Sequence, residues 1–171
     1  TFLTLLTQIG GFVYLLSLLL NKKWKWNNQL KAWISFLGLY LFMTFLIVPI
    51  IASYFGRVPI QHTSVIQPSN YATVLLNRNY VVPELNTTLK EIATHMKEEK
   101  LQICYLDANF PFFDGFPLAP HLSHNDGKNL DISFIYENEE GNYTDQQKSI
   151  SGYGVFEAPK ANEYNQTKAC K

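Results

Sequence analysis

Two stretches in the first third of the chain carry no charge: Phe2–Leu20, 19 residues, and Ala32–Ala52, 21 residues. A helix that crosses the hydrocarbon core of a bilayer needs about 20 apolar residues. Both runs therefore predict transmembrane helices, and no other feature constrains the folding of this chain as strongly. Neither run has the polar face that a helix of a soluble bundle turns to water. Thr4, Thr7, Gln8 and the Gly10-Gly11 pair make the first run the weaker of the two. The alternative for it, a cleaved signal peptide, would show a basic leader and a small-x-small cleavage site, and this run shows neither. Trp24, Trp26, Trp33, Tyr40 and Tyr54 supply rings for interfacial belts.

Charge sets the orientation. The connector Asn21–Leu30 holds Lys22, Lys23 and Lys25, Lys31 follows at once, and Arg57 stands alone beyond the second run. Positive-inside counting puts the connector in the cytoplasm and both ends of the hairpin outside. All 14 acidic residues lie beyond Arg57, beside nine basic ones, so Val58–Lys171 is mildly acidic. Such a chain lacks the Lys/Arg stripe of a nucleic-acid binder, and 15% aromatic content argues against disorder. The expected location is the cell (inner) membrane, with the lipid bilayer as one partner and the polar part in the periplasm or exterior. The chain opens on Thr inside an apolar run, which predicts a piece of a longer protein.

The expected organisation is a membrane hairpin over 1–57, a linker with one or two short extended pieces over 58–82, and an outer domain over 83–171. Pro83 marks the entry to a helix, with Thr88 and Glu91 as a capping box. Leu85, Leu89, Ile92 and Met96 form its buried stripe, and His95 lies off it. Leu101–Leu106 reads as a buried strand, and Leu130–Tyr136 alternates as a strand does. Helix followed by strands gives an α+β fold. Cys104 and Cys170 lie in the outer part, where either a disulfide or a buried thiol is compatible with the sequence. Asn86, Asn142 and Asn165 begin glycosylation sequons.

The chemistry concentrates in His121-Leu-Ser-His124-Asn-Asp-Gly127-Lys-Asn-Leu-Asp131. Asn125–Asn129 is turn chemistry, so His124 and Asp131 face each other across a turn. A neutral imidazole and a carboxylate are two good zinc ligands. The competing reading is a loop pair that hydrogen-bonds its own backbone, and spacing alone leaves both open. Ser123-His124 with Asp126 or Asp131 does not make a triad, because adjacent residues rarely face each other and no nucleophile elbow is present. Cys104 has no activating neighbour in sequence. Ser149-Ile-Ser-Gly-Tyr-Gly reads as a solvated loop, and Phe110-Pro-Phe-Phe-Asp-Gly-Phe as a groove lining or a core or membrane-proximal packing element.

Ser123-His124-x-x-Gly127-x-x-x-Asp131, with His121 three residues earlier, resembles the motif of the penicillin-insensitive murein endopeptidases. These are similar to lysostaphin-type enzymes, D-Ala-D-Ala carboxypeptidases and the sonic hedgehog signalling domain. The resemblance covers about Leu85–Ser133. It implies a small antiparallel-sheet domain that binds one Zn2+ and hydrolyses peptide cross-links of peptidoglycan. His124 and Asp131 match the first two zinc ligands. His121 matches a motif histidine placed to orient substrate or stabilise an oxyanion. Gly127 matches the glycine that permits the turn. The family's third ligand comes from a later His-x-His, but no histidine follows His124 here, and His62 and His95 precede the motif. Asn129 stands where those enzymes carry a second acid. A chain ending before the third ligand is one expectation; a non-catalytic cell-wall or ligand binding module of the same fold is the other.

Overall fold

The structure is a computed structural model and describes residues 2–25, 28–138, 140–144 and Tyr153. Trp26, Cys170, the Asn165 sequon and, Tyr153 apart, the Ser149-Ile-Ser-Gly-Tyr-Gly loop lie outside the described residues.

The two apolar runs fold differently. The first is broken: α1 spans Phe2–Thr7 and α2 spans Gly10–Lys23. Between them Gln8 takes a left-handed φ of 64°, which a non-glycine residue adopts only where its surroundings compensate. At 1.5 Å per residue α2 is about 21 Å long, short of the roughly 30 Å of a hydrocarbon core. The second run gives α3, Gln29–Tyr54, the one helix among the described residues long and apolar enough to cross a membrane. Its start is capped by Asn28, whose side chain accepts from Leu30 N at 2.8 Å. Met43–Ile47 widens into a π turn, with Val48 N donating to Met43 O. Pro49 explains it: proline has no N–H and its ring would strike the carbonyl four residues back, so the chain adds a residue to the turn.

Residues 58–82, expected as a linker with short extended pieces, are built into the domain that the sequence reading places outside the membrane. They supply β1 (Val58–Pro59), β2 (Ile66–Pro68), α4 (Tyr71–Leu75) and β3 (Tyr80–Val81). Helix α5 covers Pro83–Glu98. Proline occupies its first turn, where its missing N–H costs nothing. Thr88 is therefore no cap; its hydroxyl donates to Glu84 O inside the helix at 3.1 Å. The face that α5 buries is Leu85, Leu89, Ala93 and Met96, while Ile92 is exposed. Asn86 is buried on the same helix, so its sequon is not presented to a glycosylating enzyme.

The central strand β4, Ile103–Asp107, lies between β2 and β5 (Asp131–Ile132). β2 runs parallel to β4 and β5 antiparallel, so the sheet is mixed where an antiparallel one was expected. The parallel pair arises because α5 carries the chain back across the sheet between β2 and β4. The expected strand Leu130–Tyr136 divides into β5 and β6 (Tyr136–Glu137), which pairs with β7 (Tyr143–Thr144). One core packs Val65, Ile66, Leu89, Ile103 and Tyr105 between α5 and the sheet. A second joins Ile9, Val13, Val48 and Ala52 of the hairpin to Tyr80 of the outer domain.

Candidate metal centre

The site forms where β4 and β5 end together. Their register pairs Asp107 with Asp131 and slips between Tyr105 and Asp107. A bulge re-aims side chains at a strand end, and here it accompanies two carboxylates at one edge of the sheet. The loop from His121 returns across this edge. His124 N donates to His121 O at 3.1 Å, closing the turn that brings both imidazoles to the same side.

Gly127 is the pivot of that loop. Its φ is +80°, and a Cβ there would meet Arg57 Nη1 at 1.8 Å. The position needs glycine twice over, for its backbone and for the guanidinium that covers it. Arg57 is buried and ion-paired to the exposed Asp114. Asn109 fastens the loop from beneath. Its Oδ1 accepts from Gly127 N at 3.1 Å, and its Nδ2 donates to Asn129 O at 2.8 Å and Tyr80 O at 3.3 Å. Asn129 in turn donates to Ser123 O at 2.7 Å, a bond the carboxylate expected at that position cannot make.

His124 is 3% exposed. Its Nδ1 lies 2.9 Å from Ala108 O and its Nε2 3.0 Å from Asp131 Oδ1. A carbonyl only accepts, so Nδ1 carries a proton, and Nε2 faces a carboxylate oxygen. That contact is satisfied by a proton on one of the two atoms or by a metal ion bound to both. An Nδ1–H to carbonyl bond is also the usual way a ligating histidine is held. His121 Nδ1 lies 3.0 Å from Asp131 Oδ2. The ligand atoms of His121, His124 and Asp131 all fall within 4.8 Å of one another, and tetrahedral zinc ligands at about 2.1 Å stand about 3.4 Å apart. The donor set fits a metal ion. His121, expected beside the site, thus stands as near to Asp131 as His124 does.

Three further groups complete the surroundings. Tyr153 donates to Asp131 Oδ2 at 2.6 Å, and its ring lies 4.7 Å from that of His121. Burial, then the bond to Asp131, push its phenol well above the ordinary value, so it remains a donor. Asp107 is held by Arg78, through Nε to Oδ1 at 2.9 Å and through Nη2 to Oδ2, and stands 3.3 Å from His121 Nδ1. A groove of about 420 Å³ opens beside these residues and is walled on its far side by α4.

The other sequence candidates lie elsewhere. His62 is bonded to the Tyr105 hydroxyl at 2.7 Å and His95 sits exposed on α5. Cys104 is half-buried in β4, opposite Gln67. Tyr153, Asp107, Arg78, Asn109 and Arg57 carried no motif. The available signals were an acid ending an apolar run, for Asp107, and a lone base after the second apolar run, for Arg57. No family model, curated protein or solved structure matches the chain.

Proposed function

We propose that this chain is a membrane-anchored, outward-facing zinc metallopeptidase-like protein that hydrolyses peptide cross-links of peptidoglycan. One observation carries the reading: a buried His124 whose Nδ1 is committed to Ala108 O, with its Nε2 and His121 Nδ1 each 3.0 Å from Asp131. His124 and Asp131 would hold the zinc, with His121 beside it as a third ligand or as the group that steadies a developing oxyanion. Zinc in such a site supplies Lewis acidity, polarising a carbonyl and acidifying a water. The chain's own residues do the rest. Ala108 O fixes the tautomer of His124, Tyr153 donates to Asp131 and limits its rotation, and the Arg78–Asp107 pair bounds the groove that would receive the peptide. Asn109 and Gly127 keep the loop in register with β5.

The second reading, a non-catalytic cell-wall or ligand binding module of the same fold, is favoured by the bonds Asp131 already has. It accepts from Tyr153 at 2.6 Å and faces His124 Nε2 at 3.0 Å, so a proton in place of the metal also holds the cluster together. The two are separated by measuring zinc content after metal loading and hydrolysis of a cross-linked muropeptide by mass spectrometry. The peptidase reading expects about one zinc per chain and cleavage, both lost in His124→Ala and kept in Asp126→Ala. Zinc without cleavage favours the binding module. Zinc content unchanged by His124→Ala refutes the site.

A further inference from the structure

The polar residues of the two apolar runs gather where the outer domain meets them. Asn77 Nδ2 lies 3.4 Å from Thr7 O, 3.3 Å from the Tyr40 hydroxyl and 3.5 Å from Thr44 Oγ1. The Tyr40 hydroxyl donates to Leu75 O at 2.6 Å, and Phe112 N donates to Gln8 Oε1 at 2.9 Å. Irregular backbone such as the break at Gln8 is tolerated at membrane depth only where protein covers it, and Thr7 and Gln8 are both buried.

These contacts lie deep along the helices. Lys22 and Lys23 end α2, and Lys31 sits in the first turn of α3, which marks the cytoplasmic edge. Tyr40 is about 14 Å along α3 from Lys31, and Gln8 about 21 Å from Lys22 along α2 and the break, at 1.5 Å per residue. A hydrocarbon core is about 30 Å thick. The outward face of α3 stays apolar and exposed well past Tyr40, through Phe45, Leu46, Ile50 and Ile51. Ile51 lies about 16 Å beyond Tyr40, so lipid must cover that face over the very stretch where the opposite face packs against the outer domain. The domain then stands beside α3 from near the bilayer midplane, at Tyr40, outward through the outer leaflet. Helix α4, suspended from Tyr40 by Leu75 O, exposes Tyr71 and Leu75 at 64% and 41%. Its Ala72, Thr73 and the following Leu76 line the groove that ends at Asp107 and His121.

We propose that the outer domain is partly sunk in the outer leaflet, with α4 as the lipid-facing lip of the groove. The site would then take peptide carried by a membrane-anchored molecule, its tail held in the bilayer beside Tyr71 and Leu75. This rests on the peptidase reading for the nature of the peptide, but the immersion of α4 does not.

The test uses the full chain in lipid nanodiscs, on a Cys104→Ser, Cys170→Ser background, with a nitroxide at Leu75→Cys or at Glu98→Cys on the charged end of α5. Immersion expects the Leu75 label to relax with oxygen and resist a water-soluble nickel complex, and the Glu98 label to do the reverse. Equal exposure of both labels to the nickel complex overturns the inference. The unlabelled protein is then given one cross-linked stem peptide in three forms: free, on a diacyl anchor and on a polyprenyl anchor. At least about tenfold faster cleavage of an anchored form is expected from its effective concentration, and the preferred anchor identifies the source. Equal rates for all three overturn the substrate assignment. Cleavage of none refutes the peptidase reading and with it the peptide substrate, while the label measurement still decides the immersion.

Discussion

Replacing Gly127 by alanine separates two costs that the structure places on one residue. A φ of +80° is left-handed space, which costs an L-residue about 1–2 kcal/mol. The added Cβ would also fall 1.8 Å from Arg57 Nη1 and 2.5 Å from its Cζ, so the guanidinium must leave its place. Arg57 is 2% exposed and bound to Asp114, and losing a charge-assisted bond of that kind costs a further 1.5–3 kcal/mol or about that. Gly127→Ala should therefore destabilise its domain by about 2.5–5 kcal/mol. Gly115 is the control: its φ is +75° and a Cβ there meets nothing within 4 Å, so Gly115→Ala should cost only about 1–2 kcal/mol. Urea unfolding in a mild detergent, followed by far-ultraviolet circular dichroism, measures both. Adding Arg57→Ala opens the space, and in that background Gly127→Ala should fall to the cost of Gly115→Ala. Equal costs at Gly127 and Gly115 in the native background, or an unchanged cost after Arg57→Ala, would show that Arg57 does not pin the loop.

Other perturbations follow from the same contacts. Asn109→Ala removes one acceptor and one donor group beneath the loop and should cost about 2–4 kcal/mol; Asn109→Asp should recover only the bond to Gly127 N, and full recovery by urea unfolding would contradict the donor role of Nδ2. Arg78→Met strands Asp107, which is 3% exposed, and should cost about 3–5 kcal/mol, with Asp107→Asn restoring much of it. Full stability of Arg78→Met alone would deny the pair its role. Stability should also fall on acidification below 6.5, the ordinary histidine value, because burial lowers the pKa of His62. The folded state then binds its proton less readily than the unfolded one, so the contribution is full above 6.5 and is lost as the pH falls toward the depressed folded value. His62→Gln should flatten that part of the profile; an identical acid profile in the variant would assign the loss to other groups.

Local pattern carried the reading as far as it did because it depends on neighbours in sequence. The charge-free run of α3, the entry at Pro83, and the His124 and Asp131 pair across a glycine turn are all set within a few residues. Two of the three failures have a distant cause, and Thr88 a local one. Thr88 looked like a cap until Pro83 took the first turn five residues earlier. Ile92 fitted the stripe by spacing, yet the sheet lies nearer Ala93, whose small side chain lets α5 approach. Residues 58–82 are too punctuated by Pro, Ser and Asn to show a strand period, and only the pairing of Ile66 with Ile103 makes β2 a strand.

The division follows the range of the interactions. Charge-free length and turn chemistry dictated an apolar helical first third, an α+β remainder and the facing pair of His124 and Asp131, because hydrophobic period and backbone preference act locally. Tertiary structure alone decided that His121 joins His124 and Asp131, that Asn109 and Arg57 hold their loop, and that Tyr153 closes on Asp131. It also decided that the first apolar run breaks at Gln8, where the bond to Phe112 joins residues 104 apart in sequence. A buried polar group must find a partner wherever the fold supplies one, and no spacing rule along the chain reaches that far.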